Sequence, residues 1–168
     1  ADAGVCTYEV QGTEFDATAT DNCSVTSLTY TLSGATSGTG TTLDGVILNA
    51  GTTTVTWKAM DAAGNSDICS FSVTLVDTQD PEITCAQTGT VNRNADAGVC
   101  TYEVQGTEFD ATATDNCSVT SLTYTLSGAT TGTGTTLAGK VFNAGTTTVT
   151  WKAMDAAGNS DICSFSVT

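Results

Sequence analysis

The sequence predicts an all-β chain built from two tandem, disulfide-bonded β-sandwiches, and three observations carry that prediction. Threonine supplies 37 of the 168 residues, with a single proline and 13% charged residues, a composition weighted toward strands over helices. Apolar and polar residues alternate at period two in short runs separated by glycine- and asparagine-containing turns. Residues 1–74 recur as residues 95–168 with five substitutions in 74 positions, which makes the chain a tandem array with a period of 94. The stretch 75–94 occurs once, so the expected division is a repeat over 1–76, lacking an N-terminal strand, and a second repeat over 77–168. Such phasing is expected of a window on a longer series of repeats.

Taken in order, Cys6, Tyr8 and Val10 give the first inward-facing row. Leu28, Tyr30 and Leu32 alternate with Ser27, Thr29 and Thr31 in a second strand. Val55, Trp57 and Ala59 face inward against Thr54, Thr56 and Lys58, and Cys69, Phe71, Val73 and Leu75 against Ser70, Ser72 and Thr74. Turns are expected at Asp44-Gly45, Asn49-Ala50-Gly51 and Ala63-Gly64-Asn65, while Gly34, Gly38 and Gly40 read as loop or bulge glycines. No segment combines helical periodicity with caps. About seven short strands per period describe a sandwich of immunoglobulin type. Trp57 and Trp151 lie on the inward side of their strands and are expected in the core, not on a sugar-stacking surface.

Eighteen acidic residues against four basic ones give a net charge of -14, which repels nucleic-acid phosphates and anionic lipid. No stretch approaches the 18 or so apolar residues of a membrane-spanning helix. Nucleic acid and a membrane span are therefore excluded as expectations.

The seven cysteines follow the period: Cys6, Cys23 and Cys69 recur as Cys100, Cys117 and Cys163, and Cys85 lies in the single-copy stretch. Four cysteines per whole repeat, without Cys-x-x-Cys spacing and without histidine, favour disulfides over zinc and hence an oxidising, extracellular compartment. Three pairings of four cysteines are open. The expected set joins Cys85 with Cys100, Cys117 with Cys163 and Cys23 with Cys69, leaving Cys6 to pair upstream of the chain. Loops of about 15 and about 46 residues closed in this way contribute roughly 3 and 4 kcal/mol.

Several separated motifs, in order, now point to a family: Asp80-Pro81-Glu82-Ile83-Thr84-Cys85, Gly98-Val99-Cys100, Thr114-Asp115-Asn116-Cys117, Gly-Thr-Thr-Thr-Val-Thr-Trp at 145–151, Asp-Ala-Ala-Gly-Asn-Ser at 155–160 and Cys-Ser-Phe-Ser-Val at 163–167. Together they resemble the hyalin repeat (HYR) family over the whole repeat; Ala86 departs from the proline common there. The resemblance implies an immunoglobulin-like sandwich in extracellular and cell-surface proteins. It implies a non-enzymatic structural unit of long adhesin stalks or surface filaments, including the giant surface adhesins of gliding Bacteroidetes. Neighbouring repeats of the same chain are the expected partners, with lateral association between chains left open by the sequence.

Catalysis finds little support in the residues. There is no histidine, the cysteines are assigned to bridges, and Lys58 and Lys152 point outward. The carboxylate pairs Glu14/Asp16 and Glu108/Asp110 read as loop residues, because a narrow sandwich offers no glycosidase-type cleft. The acidic residues of the junction are more informative. The linker 77–82 and the loops 110–116 and 155–161 converge at one end of such a sandwich, and hard oxygen ligands there suit calcium. Asp77, Asp80, Asp115 and Asp155 are the candidates; the same residues also fit plain turns that hydrogen-bond the local backbone. Four of the five substitutions fall together, where Asp44, Val46, Ile47 and Leu48 become Ala138, Lys140, Val141 and Phe142. Leu48, Lys140 and Phe142 are therefore candidates for a variable contact with a glycan or protein, in an alternative reading as a calcium-dependent binding module; sequence drift in a tolerant loop is the competing explanation.

Overall fold

The computed structural model describes residues 4–168, and every regular element in them is a strand. The chain divides into two compact units, Ala1–Asp77 and Thr78–Thr168. In the first, β1 (Thr7–Glu9), β2 (Val25–Gly34), β3 (Gly38–Gly40), β4 (Ile47–Asn49), β5 (Gly51–Asp61) and β6 (Ser66–Leu75) follow one another. Four of them form an antiparallel sheet in the order β3-β2-β5-β6, and β1 pairs with β4. Gly38 and Gly40 thus lie on a short edge strand, not in a loop.

The second unit contains β7 (Glu82–Thr84), β8 (Thr90–Val91), β9 (Thr101–Glu103), β10 (Thr112–Thr114), β11 (Val119–Gly128), β12 (Gly132–Gly134), β13 (Val141–Asn143), β14 (Thr147–Asp155) and β15 (Ser160–Val167). Its main sheet runs β12-β11-β14-β15-β8, and the pairs β9-β13 and β7-β10 supply the other layer. The result is an all-β, immunoglobulin-like sandwich.

Alternation builds the core as the sequence predicts. Along β14, Thr147, Val149, Trp151, Ala153 and Asp155 are buried, and the threonines between them are not. From the main sheet, Tyr124, Leu126, Trp151 and Phe165 meet Val104, Phe109 and Phe142 from the other layer. The Trp151 ring stands edge-on to Tyr124 at 5.3 Å between centroids, and its Nε1 donates to the Phe109 carbonyl at 3.0 Å, so its one polar atom is satisfied inside the core. Trp57 repeats this with Tyr30 and the Phe15 carbonyl. At the ends of β2 and β11, Gly34 and Gly128 sit at φ +100° and +99°, with the Thr52 and Thr146 carbonyl oxygens where a Cβ would stand. Only glycine fits both demands.

The disulfide pattern differs from the expected one. Cys85 bonds Cys163, so neither Cys85 with Cys100 nor Cys117 with Cys163 forms. The expected set favoured neighbours in sequence. In the fold, Cys85 follows β7 in one layer and Cys163 lies on β15 in the other; both pack against the core, so the bridge ties the layers together. Cys23 and Cys69, expected to pair, are exposed free thiols, as is Cys100. Cys117 and Cys6 are each disulfide-bonded.

The variable window is also corrected. Leu48 and Phe142 are buried, at 0% and 3% exposure, because the middle residue of β4 and of β13 points inward. Their flanking neighbours Ile47 and Val141 are exposed instead, and Lys140 is half-buried.

Candidate metal centre

Asp77, Asp115 and Asp155 come together in the structure, with one carboxylate oxygen of each within 4.8 Å of the others. Asp77 follows β6 and Pro81, four residues on, is buried at the start of the second repeat. Asp115 ends the segment that begins with β10, and Asp155 is the last residue of β14, where the inward parity of the strand turns its side chain away from solvent. Asp77 and Asp155 are 7% and 3% exposed. Asp80, the fourth candidate, is exposed and stands outside the group.

The three carboxylates are held differently. Asp155 Oδ1 accepts from the backbone N–H of Gly158 (2.6 Å) and of Asn159 (2.8 Å), and its Oδ2 accepts from Asn159 Nδ2 at 2.7 Å. Burial raises its pKa, but the Asn159 side chain and the backbone donors outweigh that and hold it below the usual aspartate value. Asp155 is therefore a turn former and an ionised carboxylate at once. Both oxygens of Asp115 are buried and accept no hydrogen bond from the described residues. A carboxylate in that position, beside two others, has no compensating donor among the described residues.

The first repeat supplies an internal comparison with the same local sequence. There Asp21, the counterpart of Asp115, accepts from the N–H of Cys23 at 2.8 Å and of Ser24 at 3.2 Å. Asp61, the counterpart of Asp155, accepts from Ala63 and Asn65, and the Asn65 side chain chiefly keeps its pKa low. In this repeat both residues are ordinary turn formers. The same Asp-Asn-Cys-Ser tetrapeptide is thus used differently where Asp77 stands nearby. A divalent cation with oxygen preference fits what the second repeat presents: three carboxylates, two orphan oxygens and the adjacent Asn116 amide.

The paired carboxylates of the loops are structural. Asp16 Oδ1 and Oδ2 accept from Leu43 N and Thr42 Oγ1, and Asp110 from Leu137 N and Thr136 Oγ1, at 2.7–2.9 Å. Glu108 accepts from the Tyr102 hydroxyl, Gln105 N and Arg93 Nη2. Burial opposes its ionisation, but the three donors prevail and its pKa is lowered. Arg93 also lies over the Phe109 ring, 5.1 Å from its centroid. Sequence reasoning missed this residue, since a lone arginine in a single-copy segment carries no spacing signal.

Comparison with known proteins agrees with these repeats. The HYR domain family matches residues 5–75 and again residues 76–168, so the second match begins just before Asp77 and includes all three aspartates. Hyalin of Strongylocentrotus purpuratus is 36% identical over 121 residues, which cover 70% of this chain and 9% of hyalin. Among solved structures, Drosophila N-cadherin EC1-4 aligns over 83% of this chain and 40% of its own, at 15% identity and a TM-score of 0.35.

Proposed function

The chain belongs to the HYR domain family, and we propose that it is a non-enzymatic structural repeat unit of an extracellular adhesin stalk or cell-surface filament, with a calcium ion held by Asp77, Asp115 and Asp155. The observation that carries the reading is the orphan carboxylate of Asp115 facing two other buried aspartates. A bound calcium offsets the three negative charges and ties the residue that enters the second repeat to two of its loops. The rest of the repeat has a structural character: carboxylates employed in loop hydrogen bonds, tryptophans in the core and a layer-to-layer disulfide. Near-identity of successive repeats suits a spacer, in which length counts for more than the individuality of each unit.

Electron microscopy of the whole native molecule tests the stalk reading. A long thread with regular beads at roughly 30 to 40 Å is expected, the diameter of a compact domain of this size. A compact particle of two or three domains would contradict it and favour a binding module. That second reading rests on the exposed Ile47 and Val141 in the window where the repeats differ. A glycan array distinguishes the two, since a spacer binds nothing on it.

A further inference from the structure

Each repeat carries two exposed pairs of an aliphatic and a charged side chain, of opposite sign, one on each layer of the sandwich. In the second repeat, β14 and β15 place Lys152 directly across from Ile162 on the outer side of the main sheet, while the neighbouring Trp151 turns into the core. Ile162 is 62% exposed. In the other layer, β9 and β13 place Glu103 directly across from Val141, which is 47% exposed, while Tyr102 and Phe142 beside them pack inward. The first repeat has the same two pairs, Lys58 with Ile68 and Glu9 with Ile47. Directly opposed residues of two strands share a face, so in each pair the charge and the aliphatic group stand side by side.

Charge is sorted between the layers. The outward positions of β11, β14 and β15 hold serines, threonines, Met154, Lys152 and Ile162, and none of them is acidic, in a chain with 18 acidic residues and four basic ones. Two such acidic chains repel one another over most of their surface, and the main sheet is where that repulsion is least. Neither Lys152 nor Glu103 belongs to an ion pair among the described residues. Within the variable window, Asp44 and Val46 change character, yet Ile47 is replaced only by another exposed aliphatic, Val141.

We infer that the lysine face of one chain docks on the glutamate face of a second copy, with Lys152 against Glu103 and Ile162 against Val141, and with the pairs of the first repeat serving in the same way. A contact between unlike faces does not close on itself, because each chain keeps one face of each kind for a further neighbour. Chains therefore align side by side in rows. Each exposed ion pair is weak alone, but an array gains a contact with every repeat, and the contacts add along its length. This goes beyond the stalk reading, since the two faces belong to each repeat and bring copies together whether or not the native molecule is a long thread.

The test is sedimentation equilibrium of the 168-residue chain at concentrations up to about 1 mM, where contacts of the weak, transient class are populated. Cys23, Cys69 and Cys100 are alkylated beforehand, so that no disulfide forms between chains. The parent should gain mass with concentration. A chain carrying Lys58→Glu and Lys152→Glu, and one carrying Glu9→Lys and Glu103→Lys, should each associate about tenfold or more weakly, because like charges then face one another. An equimolar mixture of the two should regain the parent's association, since unlike faces are matched again between them. Net charge alone gives another order, in which the Glu→Lys chain, the least negative of the three, associates most readily. All four positions are exposed. Concentration-dependent amide shifts of the parent, read by NMR, provide a check that needs no variant and should centre on these four residues and their cross-strand partners. A parent that stays monomeric, a charge-reversed chain that associates as the parent does, a mixture no stronger than its components, or shifts centred elsewhere would each overturn the proposal. A monomeric parent would leave the beaded thread expected of a stalk untouched.

Discussion

Both oxygens of Asp115 are buried without a donor among the described residues, whereas Asp21 in an identical tetrapeptide caps two backbone N–H groups. Removing the Asp115 charge relieves an uncompensated group in the metal-free protein, so Asp115→Asn should leave the chelator-treated second repeat as stable as before or more stable by about 1–3 kcal/mol. The same variant should lose any stabilisation by calcium, and Asp21→Asn should not; thermal melts of the two variants check this. Glu108 gives the opposite case. Its three donors lower its pKa below the ordinary glutamate value of 4.5. A depressed carboxylate pKa contributes stability that is fully present above the unfolded-state value and is lost as pH falls through the folded one. Glu108→Gln should therefore weaken the second repeat by about 1–2 kcal/mol at neutral pH, and the difference from the parent should vanish below pH 4 or so, as urea melts across that range would show. At this scale the sequence marked Asp77, Asp115 and Asp155 because the linker and two loops converge at one end of such a sandwich, with plain turns as the competing reading. It also marked Asp80, one residue before the proline, and nothing in local spacing separates a linker aspartate that turns inward from one that does not.

The strands were legible because burial on one face forces alternation, and Val55-Trp57 or Leu28-Tyr30-Leu32 carry it plainly. Disulfide connectivity was not, because it depends on which layer each strand joins, and that is a long-range fact. Cys85 and Cys163 are 78 residues apart in sequence yet lie across the core from one another. Closing a loop of that length contributes about 4–5 kcal/mol through the entropy removed from the unfolded chain. Cys163→Ser should destabilise the second repeat by about that amount, whereas Cys69→Ser, a free thiol in the first, should change stability by under about 0.5 kcal/mol in denaturant melts. Gly128 ends β11 at positive φ with a carbonyl at its Cβ position. Gly128→Ala should cost more than the roughly 1–2 kcal/mol of the left-handed backbone alone, because the carbonyl must also move. The variable window shows the same limit of local reading: Leu48 looks like a loop residue until β4 pairs with β1 and turns it into the core.

Taken whole, the chain carries its single-copy segment 82–93 in the second repeat, whose layers are bridged and whose aspartates are assembled. Two separate thermal transitions are expected, the lower one belonging to the first repeat. Calcium binding to the folded second repeat should raise the upper transition alone, because a ligand stabilises only the state that binds it. The most direct measurement is calorimetry of the 168-residue chain in millimolar calcium and in chelator, with Asp115→Asn run alongside. With calcium at about a hundredfold its Kd, stabilisation approaches about 2.7 kcal/mol. For a unit of this size that is a rise on the order of 10 °C in the upper transition. That rise is expected in the parent chain and not in Asp115→Asn; an upper transition that stays put, or that moves equally in both proteins, would contradict calcium binding at Asp115.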